Sequence, residues 1–313
     1  MMSLRLIVPA DRTELVARQL AEDDRTTNVV VIAGGGIRPA GDLVQCEVTR
    51  EAASDVLGWL RNQGIYDDGS VVITDVLAAP SRNARATEMA APGAPDDAIV
   101  WDAVLDAAYG EARGSWSFYA FLTLATCIAS VAVVTDSSIL VVGAMVVGPE
   151  FAAVAGIALG LVSRRVQLIK AAALLLVKGF AFAIAVTTVL ALLARAAGWI
   201  DLADVTGPRP LTGFIWRPDK WSVVVAVLAG CAGVLSQTAG RSNALVGVFI
   251  SVTTVPAAGD FALSLALGAP QQLKGSAAQL GINLFGMIAA GVVTLLIQRQ
   301  LWKLIRKPTR QPR

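Results

Sequence analysis

Two carboxylates stand where the chain is otherwise apolar: Glu150, directly after Gly148-Pro149, and Asp260, shortly after Pro256 and next to Gly259. Apart from Asp136 they are the only acids in residues 117–162 and 244–267. A charged carboxylate at bilayer depth costs roughly 2.5–3.5 kcal/mol on insertion scales, so each is expected to be paired, protonated or bound to a cation. Pro149 and Pro256 each remove a backbone donor and displace a carbonyl, which leaves carbonyls and a half-helix terminus to face a ligand at mid-membrane depth. That chemistry holds and passes a small solute or ion. The plainer reading is that both prolines kink helices and both acids cap half-helices or pair with a nearby base.

Other polar residues extend the pattern. Asp136, with Thr135, Ser137 and Ser138, sits where one apolar run turns into the next, a spot suited to a helix N-cap and to an external gate. Ser251, Thr253 and Thr254 precede Pro256, and Asn283 lies in the last apolar run, so a path lined by hydroxyls and an amide is expected. Ser and Thr also pack helices in lipid, which makes Asn283 the more telling residue.

Histidine is absent, which removes Ser–His and Cys–His nucleophilic pairs and His-ligated zinc together. Cys46, Cys127 and Cys231 lack the spacing of a metal knuckle or a disulfide framework. Ala258-Gly259-Asp260 is similar to the glycine–aspartate loop of intramembrane aspartyl proteases, but Tyr119, the only tyrosine in the apolar runs, is followed by Ala120 rather than by an acid. No enzyme, cofactor or metal site is expected. A net charge of +2, with the basic residues gathered at the borders of apolar runs and in the tail, argues against a nucleic-acid partner.

The elements that must position these groups are mostly apolar. Hydrophobic residues make up 55% of the 313, charged residues 16%, and mean hydropathy is +0.62. Six apolar runs, near 117–135, 138–162, 168–194, 221–238, 244–267 and 277–298, each approach the ~20 residues that cross a hydrocarbon core. Arg164, Arg165 and Lys170 follow the second run, Arg241 the fourth, and the basic tail 299–313 the last, which puts both termini in the cytoplasm. Arg209 and Arg217 are exceptions, because the loop 198–219 should then be external.

Leu124-Ala125-Thr126-Cys127 returns as Leu228-Ala229-Gly230-Cys231, and the same offset carries Ser138 onto Ser242, Val142 onto Val246 and Gly143 onto Gly247. Three runs per copy is an odd number, so the copies, about 117–196 and 221–298, would insert upside down relative to each other. Allowing a short insertion in the second copy, each half then has one broken, acid-bearing helix, the pointer to a binding site in such a plan.

Ahead of the membrane part, residues 1–77 read as β-α-β-β-α-β, the order of a ferredoxin-like sandwich used for sensing or for pairing subunits, so a homo-oligomer is among the expected partners. Gly34-Gly35-Gly36 reads as a flexible turn between the two middle strands. Residues 78–98 read as a flexible linker, and 99–115 as an amphipathic interfacial helix capped by Asp97, with Val100, Trp101, Val104, Leu105 and Ala108 along one stripe. The first residues lack a signal-peptide pattern. The expected fold class is therefore an α-helical polytopic membrane protein, six spans in two inverted three-helix repeats, preceded by a small α/β domain.

At Thr135-Asp136-Ser137-Ser138-Ile139-Leu140-Val141-Val142-Gly143-Ala144-Met145-Val146-Val147-Gly148-Pro149-Glu150-Phe151, and again from Ala239-Gly240-Arg241-Ser242-Asn243 to Val255-Pro256, the chain resembles a bacterial membrane family catalogued as domain of unknown function 389. The resemblance covers about 101–298. In many members an apolar residue with Leu-Met follows this proline, so Glu150-Phe151 marks a subgroup. The family lends no settled activity. The resemblance implies the bacterial cytoplasmic membrane, with the lipid bilayer and a small solute or ion as partners; the functional expectation is a secondary transporter or channel, with a membrane-anchored sensor or scaffold as the other reading.

Overall fold

The computed structural model describes residues 1–91, 93–95, 98–239 and 254–305. It forms two compact units, one built on residues 1–104 and one on residues 105–297.

In the first unit β1 (Met2–Val8), β2 (Thr26–Ile37), β3 (Ala40–Val48) and β4 (Ser70–Asp75) make one antiparallel sheet in the order β2-β3-β1-β4. Helices α1 (Thr13–Glu22) and α2 (Arg50–Asn62) and the short α3 (Ile65–Asp68) complete the β-α-β-β-α-β order. With β3 between β1 and β2, and β1 between β3 and β4, this is the split βαβ arrangement. Strand alternation explains the core: Met2, Leu4, Leu6 and Val8 of β1 and Val44, Cys46 and Val48 of β3 point to one face, against Val16 and Leu20 of α1 and Val56, Leu57 and Leu60 of α2. Burial, helped by the neighbouring Glu47, pushes the Cys46 thiol up to about 12, so it behaves as a small hydrophobe.

Three expectations need correction in this unit. Gly34-Gly35-Gly36 is not the turn: it lies inside β2 at a register irregularity between Ile32 and Gly36, and the strands reverse at Arg38-Pro39. Residues 78–98 are not all tether, because Ser81 caps a helix α4 (Arg82–Ala90) that buries Ala84 and Thr87. The stretch expected at the membrane surface begins on the core of the sandwich instead: Arg50 Nε donates to the Ala98 carbonyl (3.0 Å), Ser54 Oγ to that of Ile99 (2.9 Å), Arg61 pairs with Asp102, and Val100 is buried. Helix α5 (Trp101–Glu111) follows, and Asp97 lies outside the described residues.

The second unit is helical. Ser115 caps α6 (Trp116–Val134), and α7 (Ser138–Val147) meets α8 (Glu150–Val162) at a bend of 55°. The break is local chemistry: Gly148 before proline takes extended backbone, and Pro149 has no N–H to continue the ladder. Next come α9 (Val166–Ala196), α10 (Leu202–Thr206), a 3-10 turn (Gly213–Trp216), α11 (Lys220–Thr238), α12 (Thr254–Leu267) and α13 (Pro270–Ile305). Among the described residues four helices are long and apolar enough to cross a membrane, or five if the bent pair α7–α8 is one span. Of the fifth expected span, 244–253 lie outside the described residues and the remainder is the 14-residue α12. Several membrane-crossing helices in one chain are what a multi-pass membrane protein has.

Helix limits repeat at a constant interval. Helices α6 and α11 start 104 residues apart (116 and 220) and end 104 apart (134 and 238); α9 and α13 start 104 apart (166 and 270). Their caps correspond too, Ser115 with Asp219, as do the left-handed Arg164 (φ 55°) and Gly268 (φ 74°). Arg165 N donates to Gly160 O (2.8 Å) just as Ala269 N donates to Ser264 O (2.9 Å). No insertion separates α8 from α12 in this register, so the partner of Glu150 is Thr254, not Asp260, and that of Asp260 is Gly156.

Close packing in this unit relies on missing side chains. A Cβ on Gly259 would lie 2.8 Å from the Ala129 Cβ and 3.0 Å from the Thr126 carbonyl, so α12 presses its backbone onto α6. Gly259→Val is expected to cost about 1–3 kcal/mol by overpacking. Gly143→Ala, in open space on α7, should stabilise by roughly 0.5–1 kcal/mol. Unfolding midpoints of both variants in detergent check the contrast.

Candidate functional site

Asp260 is fully buried on α12, and its carboxylate is the centre of the site. Arg209 Nη1 donates to Oδ1 at 2.6 Å, and the Ser276 hydroxyl of α13 donates to Oδ2. The Arg209 side chain is 3% exposed and comes from the loop between α10 and the 3-10 turn, where Pro208 and Pro210 flank it and its carbonyl accepts from Gly213 N (2.8 Å). The arginine that broke the charge pattern expected of an external loop is therefore folded inward.

A second acid holds the same loop. The Asp136 carboxylate accepts from the amide (2.8 Å) and hydroxyl (2.7 Å) of Thr212 and, at 3.2 Å, from the Leu211 amide. Asp136 takes left-handed backbone (φ 45°) in the turn between α6 and α7. It is not the N-cap expected for α7; that is Ser137, which accepts from Leu140 N. Desolvation works to raise the Asp136 carboxyl, but the Thr212 and Leu211 donors and the Arg209 charge together hold it below its ordinary range. Val205 and Ile215, on either side of the Arg209 segment, bury against Val133, Met145 and Leu267.

Glu150 opens α8, 1% exposed, and its Oε1 accepts from the Thr254 hydroxyl at 2.7 Å. Pro149 stands at its N-cap, whereas Pro256 lies inside α12 rather than at a break between helices. Glu150 and Asp260 do not meet: Thr254 and Asp260 are six residues apart, about 9 Å along the helix. Thr253, with Arg241, Ser242, Asn243 and Ser251, lies outside the described residues.

A polar stripe runs along α13 past Asp260 toward the level of Glu150. Gln272, Ser276, Gln279 and Asn283 are all buried and, at intervals of three or four residues, share one face of α13. Helices α12 and α13 are antiparallel about Gly268-Ala269, and the Asp260–Ser276 contact sets their levels. Asn283 then stands about 10 Å beyond Ser276, near the level of Thr254. Among the described residues the amides of Gln279 and Asn283, the Ser264 hydroxyl, and Nε and Nη2 of Arg209 have no hydrogen-bond partner. Each such buried group costs about 1–3 kcal/mol unless water or a ligand satisfies it. By contrast, a cavity of about 350 Å³ among α6, α9 and α12 is largely apolar, with Cys127, Ser130 and Thr187 set among Leu190, Trp199 and Leu263.

Sequence reasoning singled out Glu150, Asp260, Asp136, Thr254 and Asn283 but not Arg209, Ser276 or Gln279. The signals were present: a base in a loop expected to be external, and polar residues at helical spacing leading into Asn283. The family model described as Domain of unknown function (DUF389) matches residues 145–289. These residues form a DUF389 domain. The domain runs from the end of α7 into α13 and holds Glu150, Arg209, Asp260, Gln279 and Asn283, while Asp136 precedes it. It is narrower than the stretch over which the sequence resembles the family. No curated protein matches the chain, and no solved structure does.

Asp260→Ala would leave Arg209 buried without a counter-charge inside the DUF389 domain, so a loss of about 3–5 kcal/mol is expected, and Arg209→Met with Asp260→Leu should restore most of it. Unfolding of the two single variants and the double variant measures this. The Asp136 clasp has the sign of a lowered carboxyl: its stabilisation is full above the ordinary value of 3.8 and disappears as pH falls through the lowered one. Amide protection at Leu211 and Thr212 should therefore be level from about pH 5 to 8, and Asp136→Asn should reduce it throughout that range.

Proposed function

We propose that this chain is a transporter or channel of the bacterial cytoplasmic membrane that moves a small solute or ion, with both termini cytoplasmic and the N-terminal sandwich regulating access. The observation that carries this reading is the line of buried polar groups from Arg209 and Asp260 through Ser276, Gln279 and Asn283 to Thr254 and Glu150, set among helices otherwise apolar enough for lipid. Ionisable and amide groups are expensive at that depth and suit a pathway.

Two inverted repeats of three spans account for the constant interval of 104 residues between helix limits. The Glu150–Thr254 hydrogen bond supports the same plan, since these are corresponding positions, and a residue touches its own counterpart on the axis that relates two copies. The bend between α7 and α8 then supplies the broken helix of the first copy. No bond-making chemistry is needed, and we place the chain outside the enzymes.

The sensor reading has its own observation, a cavity of about 440 Å³ in the sandwich unit beside Asn28, Glu47, Val76, Ala78 and Ser81. Purified protein in liposomes separates the two. A transporter or channel should show flux of at least one ion or small metabolite, lost in Glu150→Gln and in Asp260→Asn at equal insertion. Ligand binding to the sandwich, with no flux from folded and oriented protein, would replace the transport reading with the sensor.

A further inference from the structure

Asp260 engages only one nitrogen of Arg209, and what remains is informative. Nη1 holds the carboxylate, while Nε and Nη2, both buried, have no partner among the described residues. These two N–H groups form the side edge of the guanidinium, the parallel fork that matches two oxygens of one carboxylate. A structural ion pair that used this arginine fully would present the fork to Asp260. Here the fork is withheld, desolvated and unsatisfied, in a molecule whose Ser264, Gln279 and Asn283 also have unmatched polar atoms one to two turns away along α12 and α13.

We propose that Arg209 binds a small monoanionic carboxylate through Nε and Nη2, and that a proton taken up by Asp260 accompanies the anion. This rests on the transport reading above and names its substrate class. Charge balance requires the proton. Arg209 and Asp260 neutralise each other; an anion added to that pair would carry one buried negative charge too many. With the proton on Asp260, Arg209 pairs with the ligand and the site is neutral again.

Ser276 serves both states, because its hydroxyl donates to the carboxylate and, when Asp260 is protonated, can accept from it. A dianion such as hydrogen phosphate brings more charge than one guanidinium and one proton offset, which favours a monocarboxylate.

Other charges on the surrounding elements are engaged elsewhere or, like Lys274 of α13, exposed. Arg195 of α9 donates its Nη1 to the Ala266 carbonyl, Asp204 closes the capping box of α10, Asp136 binds the 211–212 amides, and Glu150 of α8 is held by Thr254, six residues before Asp260. Helices α6 and α7 contain no charged residue, and toward Asp260 α13 presents the Ser276 hydroxyl.

The test uses full-length protein and radiolabelled pyruvate, first as binding and then as uptake into liposomes with the membrane potential clamped. Pyruvate should bind roughly tenfold more tightly for each unit that pH falls, the signature of one proton bound with the anion. Arg209→Lys keeps a cation beside Asp260 but lacks the fork, and should lose at least about tenfold in affinity at every pH while its unfolding midpoint stays near wild type. Asp260→Asn should bind without the pH dependence, and an acid-outside gradient should drive uptake by the wild type but not by this variant.

Pyruvate affinity unchanged in Arg209→Lys, or binding independent of pH in the wild type, overturns the proposal. Preference for inorganic phosphate over pyruvate overturns the monocarboxylate class. Flux of a cation or a neutral solute, with no pyruvate binding, leaves the transport reading standing and removes the anion site. Absence of both binding and flux removes both.

Discussion

The second unit is organised around one ion pair placed where lipid-like surroundings make charge expensive. Arg209 and Asp260 are both buried, in a bundle whose helices are apolar enough for hydrocarbon. Neither charge is tolerable there alone, so the loop that delivers Arg209 must stay folded inward for α12 to hold Asp260. Its backbone follows from that need: prolines on both sides of Arg209, the Asp136 clasp on the next two amides, and Val205 and Ile215 sunk among Val133, Met145 and Leu267. Remove the pair and these contacts lose their common purpose.

Close helix approach lets such a small bundle bury polar groups at all. Glycine at 259 brings the α12 backbone against α6, where Ser130 Oγ donates to the Gly259 carbonyl at 3.1 Å. Hydroxyls elsewhere return to their own helix, Thr126 to Leu122 and Thr294 to Ala290, and so pack without needing a partner across the bundle. The amides of Gln279 and Asn283 make no such bond among the described residues, and this sets them apart from the serines and threonines around them.

The correspondence at 104 residues reaches past sequence identity. Few side chains are shared between the two halves, yet caps, turn conformations and helix limits coincide, because these depend on a capping oxygen and a permissive backbone rather than on any one residue. The buried acids do not follow this interval. Asp260 corresponds to Gly156, and Glu150 to Thr254, so the helix limits coincide where the acids do not.

Sequence alone determined whatever depends on neighbours within a turn or two: the apolar helices, the break at Gly148-Pro149, the β-α-β-β-α-β order with its alternating core, and the presence of Glu150, Asp260 and Asn283 in apolar surroundings. Hydrophobic period and proline chemistry are local, and they survive without knowledge of the fold. They misled where local composition is ambiguous, as at the three glycines that proved to be strand and at the alanine-rich stretch that proved to contain α4. Only the tertiary structure decided which charges meet. Arg209 reaches Asp260 across 51 residues, Asp136 reaches Thr212 across 76, and Glu150 reaches Thr254 across 104. Nothing in a sequence pattern reports a pairing at such separations, because it is set by how helices pack and by the cost of leaving either partner alone in an apolar interior.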